Sequence, residues 1–269
     1  MIATDNMPRL LDAGDCGLVV EFGDTIDEAV NARVLRLDAA LTEARLDGVR
    51  ETVPTYRSLL ILFDPQRLRR RPLQEAVLRM LTHLDADAPS SPTRRWRIPV
   101  LYGGASGEDL ETVAALHGLT TDEVARIHAG ADYRVYMIGF MPGFAYLGGL
   151  PEAIHTGRRT NPRQKTPPRS ISIGGKQAAV SPPIEVPSGW HLLGQTPVRV
   201  YDPRRAEQPF LLKSGDRVHF ERIGQTEYDR LCRAAESGEI IAELKEIHTS
   251  GDAGPGSIAM NNPDRKDRR

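Results

Sequence analysis

The chain has 269 residues, 40% of them hydrophobic, with 35 Lys and Arg side chains against 36 Asp and Glu. This length and apolar content can supply two domains of ordinary size, each with its own core. The formal net charge of -1 gives no overall field that would hold nucleic acid or an anionic membrane, so neither is expected as a partner.

The start of the chain and its cysteines indicate the cellular compartment. Residues 1–9 are polar and acidic without an apolar signal core, and no run reaches the roughly 20 apolar residues of a bilayer span. Cys16 and Cys232 lie too far apart in sequence for the close spacing of a metal or redox pair. We therefore expect a cytoplasmic protein with reduced thiols and no metal site.

The first 90 residues alternate strand and helix. Leu18–Phe22 has the β-branched and aromatic content of a strand, and a helix then begins with a capping box at Thr25 and ends at Gly48. Ser58–Phe63 is almost continuously apolar, as expected of a strand covered on both faces, and Pro72 begins a second helix. This order predicts a small N-terminal α/β domain within an α+β protein.

A composition break at Ala88–Thr93 is typical of a domain boundary. Beyond it, Ser106 with Asp109 and Thr120 with Glu123 are predicted to cap two short helices. Short apolar runs separated by Gly and Pro then predict a closed or nearly closed β-barrel, with strands at 96–101, 133–138, 170–174, 177–180, 197–201, 209–212 and 217–223. The predicted units are an N-terminal domain over 1–90, the barrel over 93–225, a helical extension over 226–249 and a disordered tail over 250–269.

The segment Tyr133–Pro151 combines aromatic residues and glycines with no polar loop between them. Its glycines remove side chains where bulky rings would crowd the backbone, and Pro142-Gly143 fits the central pair of a type II turn. Such a segment is expected to line a surface or pocket, with three rings as its walls: Phe140, Phe144 and Tyr146.

Common local signatures of catalysis are absent from the sequence. Gly174-Gly175-Lys176-Gln177 is not a P-loop, because Ser170 stands where the first glycine is needed and Gln177 where Ser or Thr is needed. Rossmann, zincin and α/β-hydrolase motifs are also missing. Any catalysis must therefore use residues dispersed along the chain.

Three polar groups are candidates for such a site. Tyr56-Arg57 precedes a strand, where the Arg could hold a carboxylate or phosphate or could simply lie on the surface. Another group surrounds Trp190 and His191. Trp190 could be a stacking platform or a core ring, and His191 could be a base or a polar side chain whose hydrogen bonds are satisfied within the protein. The remaining group is a basic, Pro-interrupted loop that could bind an anion or be solvated: Arg158, Arg159, Arg163, Lys165 and Arg169.

Two further histidines fall at helical spacing near the ends of the short helices. His117 and His128 have no nearby Cys or carboxylate pattern, so we interpret them as capping or surface residues.

Several of these segments together resemble one known family. They are Gly14–Gly23, Pro54–Leu60, Ile98–Gly104, Tyr133–Pro151 and Gly189–Pro203. The chain is similar to the B-type subunit of the bacterial 5-oxoprolinase, in a family that includes the sporulation kinase inhibitor KipI and proteins labelled allophanate hydrolase subunit 1. The similarity extends over about residues 8 to 225, and its most specific motifs are Gly-Phe-x-Pro-Gly-Phe-x-Tyr-Leu-Gly and Gly-Trp-x-Leu-x-Gly-x-Thr-Pro.

The resemblance implies an N-terminal domain followed by a cyclophilin-like β-barrel. It also implies an assembly in which this subunit and a C-type partner activate 5-oxoproline with ATP, before an A-type subunit completes ring opening to glutamate. ATP, with Mg²⁺, would be bound by this chain or mainly by its partner. Phosphorylation of the lactam carbonyl oxygen would create a leaving group that water can displace.

Under this interpretation, we predict a site with two kinds of residue. Tyr56, Arg57, Arg163 and Arg169 would hold carboxylate or phosphoryl oxygens and offset developing charge. The substrate would lie against a second set of residues: Phe140, Pro142, Gly143, Phe144, Tyr146, Gln177, Trp190 and His191. The chain departs from the usual family pattern at 177–182 and at Gln195, where a common Arg is missing.

Two alternative functions remain open from the sequence. One is a carboxyltransferase component acting on urea or a related amide, because the transferase domain of urea carboxylase resembles this subunit fused to its partner. The other is a KipI-like protein that inhibits a sensor histidine kinase and needs no intact pocket.

Overall fold

The computed structural model describes residues 7–84 and 93–248. Within these ranges the chain forms an antiparallel sheet with two helices, followed by a β-barrel. This architecture confirms the predicted α+β class. The predicted boundary segment before Thr93 and the predicted tail over 250–269 lie outside the described residues.

The N-terminal unit is built from two hairpins, each followed by a helix. Its strands pair in the order β1-β2-β4-β3, all antiparallel. The six elements are β1 (Arg9–Ala13), β2 (Gly17–Glu21), α1 (Glu28–Ala44), β3 (Val49–Pro54), β4 (Ser58–Phe63) and α2 (Arg70–His83). The predicted strand at Ser58–Phe63 is confirmed, but β1 and β3 were not predicted.

The core of this unit lies between the sheet and its two helices. Alternate residues of β2 and β4 are buried, including Leu18, Leu59 and Phe63, and they pack against α1 and α2. The intervening residues of β4 are only partly buried. The expectation that this strand is covered on both faces was therefore wrong, because the helices cover one face of the sheet.

Both predicted ends of α1 were wrong by a few residues. The N-cap is Asp27, not Thr25, and its carboxylate accepts a hydrogen bond from the Val30 N–H at 3.0 Å. The helix ends at Ala44, before Gly48, because Arg45 takes the left-handed conformation at the C-cap. Gly48, with a φ of +91°, lies in the following turn.

The second unit is a barrel of seven strands. Its strands follow the order β12-β9-β10-β7-β6-β13-β5, and pairing of β12 with β5 closes the ring. The strands of this unit, which include two outside the barrel, are β5 (Thr93–Tyr102), β6 (Asp132–Ile138), β7 (Ala145–Gly148), β8 (Arg163–Thr166), β9 (Ser170–Gly174), β10 (Gln177–Val180), β11 (Val186–Ser188), β12 (His191–Gln195) and β13 (Arg217–Arg222). β8 and β11 form a separate two-stranded sheet.

The remaining elements of this unit differ in part from the predictions. The helices are α3 (Leu110–His117), α4 (Thr121–Ala129) and α5 (Gln225–Glu236). The capping box of Thr120 and Glu123 is confirmed. Ser106 does not cap α3, because it lies in a 3₁₀ turn and Asp109 occupies the N-cap position. The predicted strands 197–201 and 209–212 are reduced to one bridge between Tyr201 and Phe210.

The predicted helical extension over 226–249 is only partly helical. After α5, residues Glu243–His248 form strand β14, which pairs antiparallel with β5. β5 is long enough to accept β14 along its first half and β12 at its end. The end of the described chain is therefore part of the barrel sheet.

Polar contacts join the N-terminal unit to the barrel. The Asn31 side-chain amide donates hydrogen bonds to the carbonyl oxygens of Thr55 at 3.0 Å and Tyr136 at 3.3 Å. Arg134, which is buried in β6, reaches Glu28 on α1 at 3.3 Å. Because Asn31 is itself fully buried, these contacts fix the position of the segment before β4 against the barrel.

His128 is a core residue, so its predicted capping or surface role was wrong. Its ring is fully buried and stacks on Phe220 at 4.9 Å, while Nδ1 shares a 2.7 Å hydrogen bond with the Tyr102 hydroxyl. Burial lowers the pKa of His128 to about 3.

This burial predicts an acid-sensitive fold. Between about pH 6.5 and pH 3 the unfolded chain binds a proton that folded His128 does not, so stability falls by about 1.4 kcal/mol per pH unit as pH decreases. The His128→Asn variant lacks this contribution. Its free energy of unfolding, measured by urea titration, should therefore decrease less steeply from pH 6 to pH 4 than that of the wild type. A slope in His128→Asn equal to that of the wild type would contradict the prediction.

Candidate functional site

An aromatic face covers the outside of the barrel on β6, β7 and β10. Ala145 and Leu147 point into the barrel core, so Tyr146 between them points outward. Five rings lie beside it on this face: Tyr56, Tyr136, Phe140, Phe144 and Trp190. Neighbouring ring centroids are 4.8 to 6.5 Å apart, the spacing of favourable aromatic contacts.

The predicted turn at Pro142-Gly143 is consistent with the structure. Gly143 has a φ of +80°, as the third position of a type II turn requires, and the Phe144 N–H donates to the Met141 carbonyl at 3.0 Å. Phe140 also has a positive φ, of +69°, although it is not glycine. This conformation presents its ring, 56% exposed, at the rim of the aromatic face.

The three predicted wall rings have different environments. Phe140 is exposed, Tyr146 is half-buried, and Phe144 is only 5% exposed against Ala179 and Val186. Phe144 therefore supports the aromatic face from beneath, while Tyr146 and Phe140 form its accessible part.

Two glycines make room for the rings of this face. A Cβ at Gly148 would lie 2.2 Å from the Tyr136 ring, and a Cβ at Gly174 would lie 2.7 Å from the Trp190 ring. No side chain fits at either position without moving an aromatic ring.

Tyr56 is the residue of the N-terminal unit that contributes a ring to this face. Its ring stacks on Tyr136 with centroids 5.3 Å apart and meets Tyr146 edge-on at 6.3 Å. Burial, and then the neighbouring tyrosines, raise the pKa of Tyr56 well above its usual value. The hydroxyl is buried without a hydrogen-bond partner among the described residues. Tyr56 is thus neutral at physiological pH and suited to packing or hydrogen bonding, not to proton abstraction.

Two of the three predicted arginines, Arg57 and Arg169, already contact other groups. Arg57 donates to the Gly23 carbonyl at 2.7 Å and lies 3.7 Å from Glu21. Arg169 has a φ of +61° and points toward α5, with Nη1 3.6 Å from the Cys232 sulfur. Their proposed roles in holding substrate oxygens remain predictions, since each guanidinium would have to exchange these contacts for a ligand.

Asp109 is the centre of a buried charge cluster that the sequence did not reveal. Its carboxylate accepts hydrogen bonds from Arg159 at 2.6 Å, from Arg163 at 2.8 and 2.9 Å, and from the Leu192 N–H at 2.8 Å. Burial alone would raise the pKa of Asp109, but the Arg163 and Leu192 hydrogen bonds and both arginine charges outweigh it and lower the pKa. Arg163 also reaches Glu108 at 3.1 Å. Arg163 therefore anchors β8 to the start of α3.

Trp190 and His191 lie where β12 begins. Trp190 is buried beneath the aromatic face, and the His191 Nε2 lies 3.0 Å from the Gly157 carbonyl oxygen. Gln177 is half-buried at the start of β10, in the hairpin turn that Trp190 covers. His117, at the end of α3, shares a 3.0 Å hydrogen bond with the Thr156 hydroxyl.

A surface cavity of about 420 Å³ opens beside these residues. It is lined by Leu116, Thr156, Gly157, Arg158, Arg159, Thr160, Asn161 and His191. The cavity begins at His191, which directly follows Trp190 of the aromatic face in the chain. Sequence reasoning placed Arg158 in a basic loop but did not connect it with His191.

The comparisons with known proteins agree with this architecture. A family model described as carboxyltransferase domain, subdomain C and D, matches residues 8–212, which cover both the sheet unit and most of the barrel. A Bacillus subtilis relative, named as the B-type subunit of 5-oxoprolinase, is 35% identical over 229 residues, 80% of this chain and 92% of that protein.

Two solved structures are similar over most of this chain. The crystal structure of TTHA0988 has a TM-score of 0.68 and 39% identity, covering 77% of this chain and 40% of that one. This chain thus spans less than half of that protein. Urea carboxylase from Kluyveromyces lactis has a TM-score of 0.76 at 18% identity, covering 88% of this chain and 24% of that one, and shares the fold alone.

The sheet unit, the barrel and the matching model together define a protein of the carboxyltransferase C and D subdomain class. Within that class, the chain belongs to the family of 5-oxoprolinase B-type subunits. The predicted family resemblance is confirmed. Over residues 7–84 and 93–248, no helix combines the length and apolarity needed to cross a bilayer.

Proposed function

We propose that this chain is the B-type component of an ATP-dependent 5-oxoprolinase, which converts 5-oxo-L-proline to L-glutamate in the cytoplasm with C-type and A-type partner subunits. The observation that carries the proposal is similarity over 92% of the B-type 5-oxoprolinase subunit of B. subtilis. The aromatic face supports it, because stacked rings offer a surface that suits a small flat lactam.

The residues of this chain would bind and orient the substrate. Tyr146 and Tyr56 would pack on the lactam ring, while the exposed Phe140 would close the face against a partner subunit. Exclusion of water by these rings would strengthen the electrostatic interactions of the activated lactam with nearby cations.

The Gly174-Gly175 turn does not fit a phosphate-binding loop. Gly174 and Gly175 form the tight turn between β9 and β10, and a strand follows them where a phosphate loop requires a helix N-terminus. We therefore assign no step through ATP to the residues of this chain, and propose that ATP and Mg²⁺ are held mainly by the C-type partner.

A carboxyltransferase component is the second candidate. The family model that matches residues 8–212 is described as a carboxyltransferase domain, which favours this alternative over a kinase inhibitor. In that case, the aromatic face would hold a small amide as the acceptor of a carboxyl group.

The two functions are separated by the product formed. The chain is co-expressed with its adjacent C-type and A-type subunits and supplied with ATP and 5-oxo-L-proline. We expect glutamate to accumulate, and we expect no carboxylated urea when carboxybiotin and urea are supplied instead. Carboxylated urea without glutamate would overturn the proposed function in favour of the transferase.

A further inference from the structure

Asn31 is a polar residue in the apolar stripe of α1. It lies on the same face of the helix as Val34, Leu37 and Leu41, and its side chain is fully buried. Burying an amide costs free energy unless its donors and its acceptor find partners. An amide in this stripe therefore indicates a specific polar role.

The Asn31 amide bridges the backbones of two stacked tyrosines. Its Nδ2 lies 3.0 Å from the Thr55 carbonyl oxygen, 3.4 Å from that of Tyr56 and 3.3 Å from that of Tyr136. Its Oδ1 accepts a hydrogen bond from the Arg134 Nε at 3.4 Å. Because a carbonyl oxygen only accepts, the three carbonyls require the amide nitrogen on their side. Asn31 thus ties the segment before β4 and strand β6 to one point of α1.

The Tyr136 ring is the fixed member of the pair. It is only 7% exposed and occupies the space that the missing side chain of Gly148 leaves free. The Tyr56 ring stacks on it with centroids 5.3 Å apart. The Tyr56 hydroxyl is buried and has no hydrogen-bond partner within residues 7–84 and 93–248. The position of the Tyr56 ring therefore depends on packing and on the placement of its backbone.

A local hydrogen bond shapes the turn that carries Tyr56 without reaching the barrel. The Thr55 N–H donates to the Ser58 carbonyl at 2.8 Å, and both residues belong to the N-terminal unit. The Asn31 amide also reaches Tyr136 on β6. It therefore sets the distance between this turn and the barrel.

From these contacts we infer that Asn31 is a positioning residue, which holds the Tyr56 ring on Tyr136 in the aromatic face. Through Asn31, a helix of the N-terminal unit determines the geometry of a surface that lies mainly on the barrel. Its effect on turnover rests on the proposed function, because Tyr56 is assigned there to pack on the lactam ring. The stacking of the two rings does not depend on that function.

Asn31→Asp tests this role with almost no change in side-chain volume. The carboxylate still accepts from Arg134, but it places an oxygen against the three carbonyls that Asn31 binds, which repel it. We expect the Tyr56 ring to leave its stacked position. KM for 5-oxo-L-proline in the assembled complex should then rise about tenfold, with kcat changed less than about twofold. Asn31→Ala removes the same donors without adding charge and should raise KM to a similar extent.

Two further variants separate positioning from stability. Glu28→Gln weakens the ion pairs with Arg134 and Arg217 at the same junction, and it should keep the wild-type KM. Tyr56→Leu should raise KM about tenfold, and adding Asn31→Asp to it should change KM by less than about twofold more, because Asn31 acts through the Tyr56 ring. An equal rise in both backgrounds, a comparable rise in Glu28→Gln, or an unchanged KM in both Asn31 variants would overturn the inference. Failure of both Asn31 variants to fold would show a structural role only and would overturn it as well.

Near-UV circular dichroism of the purified chain tests the ring pair without catalysis, because it reports fixed packing of aromatic side chains. Asn31→Asp should lose the same tyrosine signal as Tyr56→Leu, while Glu28→Gln should keep the wild-type spectrum. That result in an assembly that forms no glutamate would support the role of Asn31 and refute the proposed function. Glutamate formation together with a wild-type spectrum in Asn31→Asp would leave the function intact and overturn the inference.

Discussion

Replacing Asp109 with Ala is expected to lower the free energy of unfolding by about 3 kcal/mol. The carboxylate is only 4% exposed and is bound by Arg159, Arg163 and the Leu192 N–H. Its removal leaves two partly buried guanidinium groups and one buried N–H without their shared acceptor. A loss of this size should lower the melting temperature by about 6 to 12 °C in thermal unfolding followed by circular dichroism.

Glu108→Ala is the matched control for this change. Glu108 is the neighbouring acid, contacts Arg163 alone at 3.1 Å, and has a side chain that is 51% exposed. An exposed ion pair of this kind contributes less than about 1 kcal/mol, so this variant should melt close to the wild type. Equal losses in the two variants, or an Asp109→Ala protein as stable as wild type, would show that the buried cluster does not hold β8 and β12 to α3.

Gly148→Ala is expected to disrupt the aromatic face directly. The added methyl group would lie 2.2 Å from the Tyr136 ring, which stacks on Tyr56. Since Tyr136 is buried between the N-terminal unit and the barrel, its ring cannot move away without disturbing its stacking on Tyr56. We expect a destabilisation of about 2 to 3 kcal/mol, measured by urea unfolding, together with loss of glutamate formation in the assembled complex.

Gly224→Ala provides the comparison for this substitution. Gly224 also lies outside the left-handed region, and no atom lies within 4 Å of the position of an added Cβ. The same methyl group meets no atom there, and its cost is limited to the weaker preference for Ala at the N-cap of α5, about 0.5 to 1 kcal/mol. If Gly148→Ala unfolded at the same urea concentration as Gly224→Ala, the Tyr136 ring would not be tightly packed against Gly148.

Much of the fold follows from local sequence signals. The capping box at Thr120 depends only on residues three positions apart, and the strands at 170–174 and 177–180 are bounded by glycines and short apolar runs. Several of the strands that were missed lie at sheet edges or contain irregularities. β1 and β3 are edge strands with mixed polar and apolar residues, and β12 carries a bulge between Leu192 and Gly194.

The candidate site was predicted less completely, because it depends on contacts between distant segments. The run of rings and glycines predicted an aromatic surface around Tyr146, and in the structure Tyr56 from the other unit packs against that ring. Asp109 was predicted as part of a local cap, whereas it binds arginines about fifty residues later in the chain. No spacing rule connects Arg158 with His191, since the loop that carries Arg158 is brought to the start of β12 by contacts between distant segments, such as the hydrogen bond from the Arg159 N–H to the Gly189 carbonyl.

On the proposed function, this chain is a required component of a lactam-opening enzyme. The most direct measurement is ATP-dependent glutamate formation from 5-oxo-L-proline by purified A-type and C-type partners, with and without this chain. We predict turnover only when the chain is present. The same rate in its absence would contradict the account.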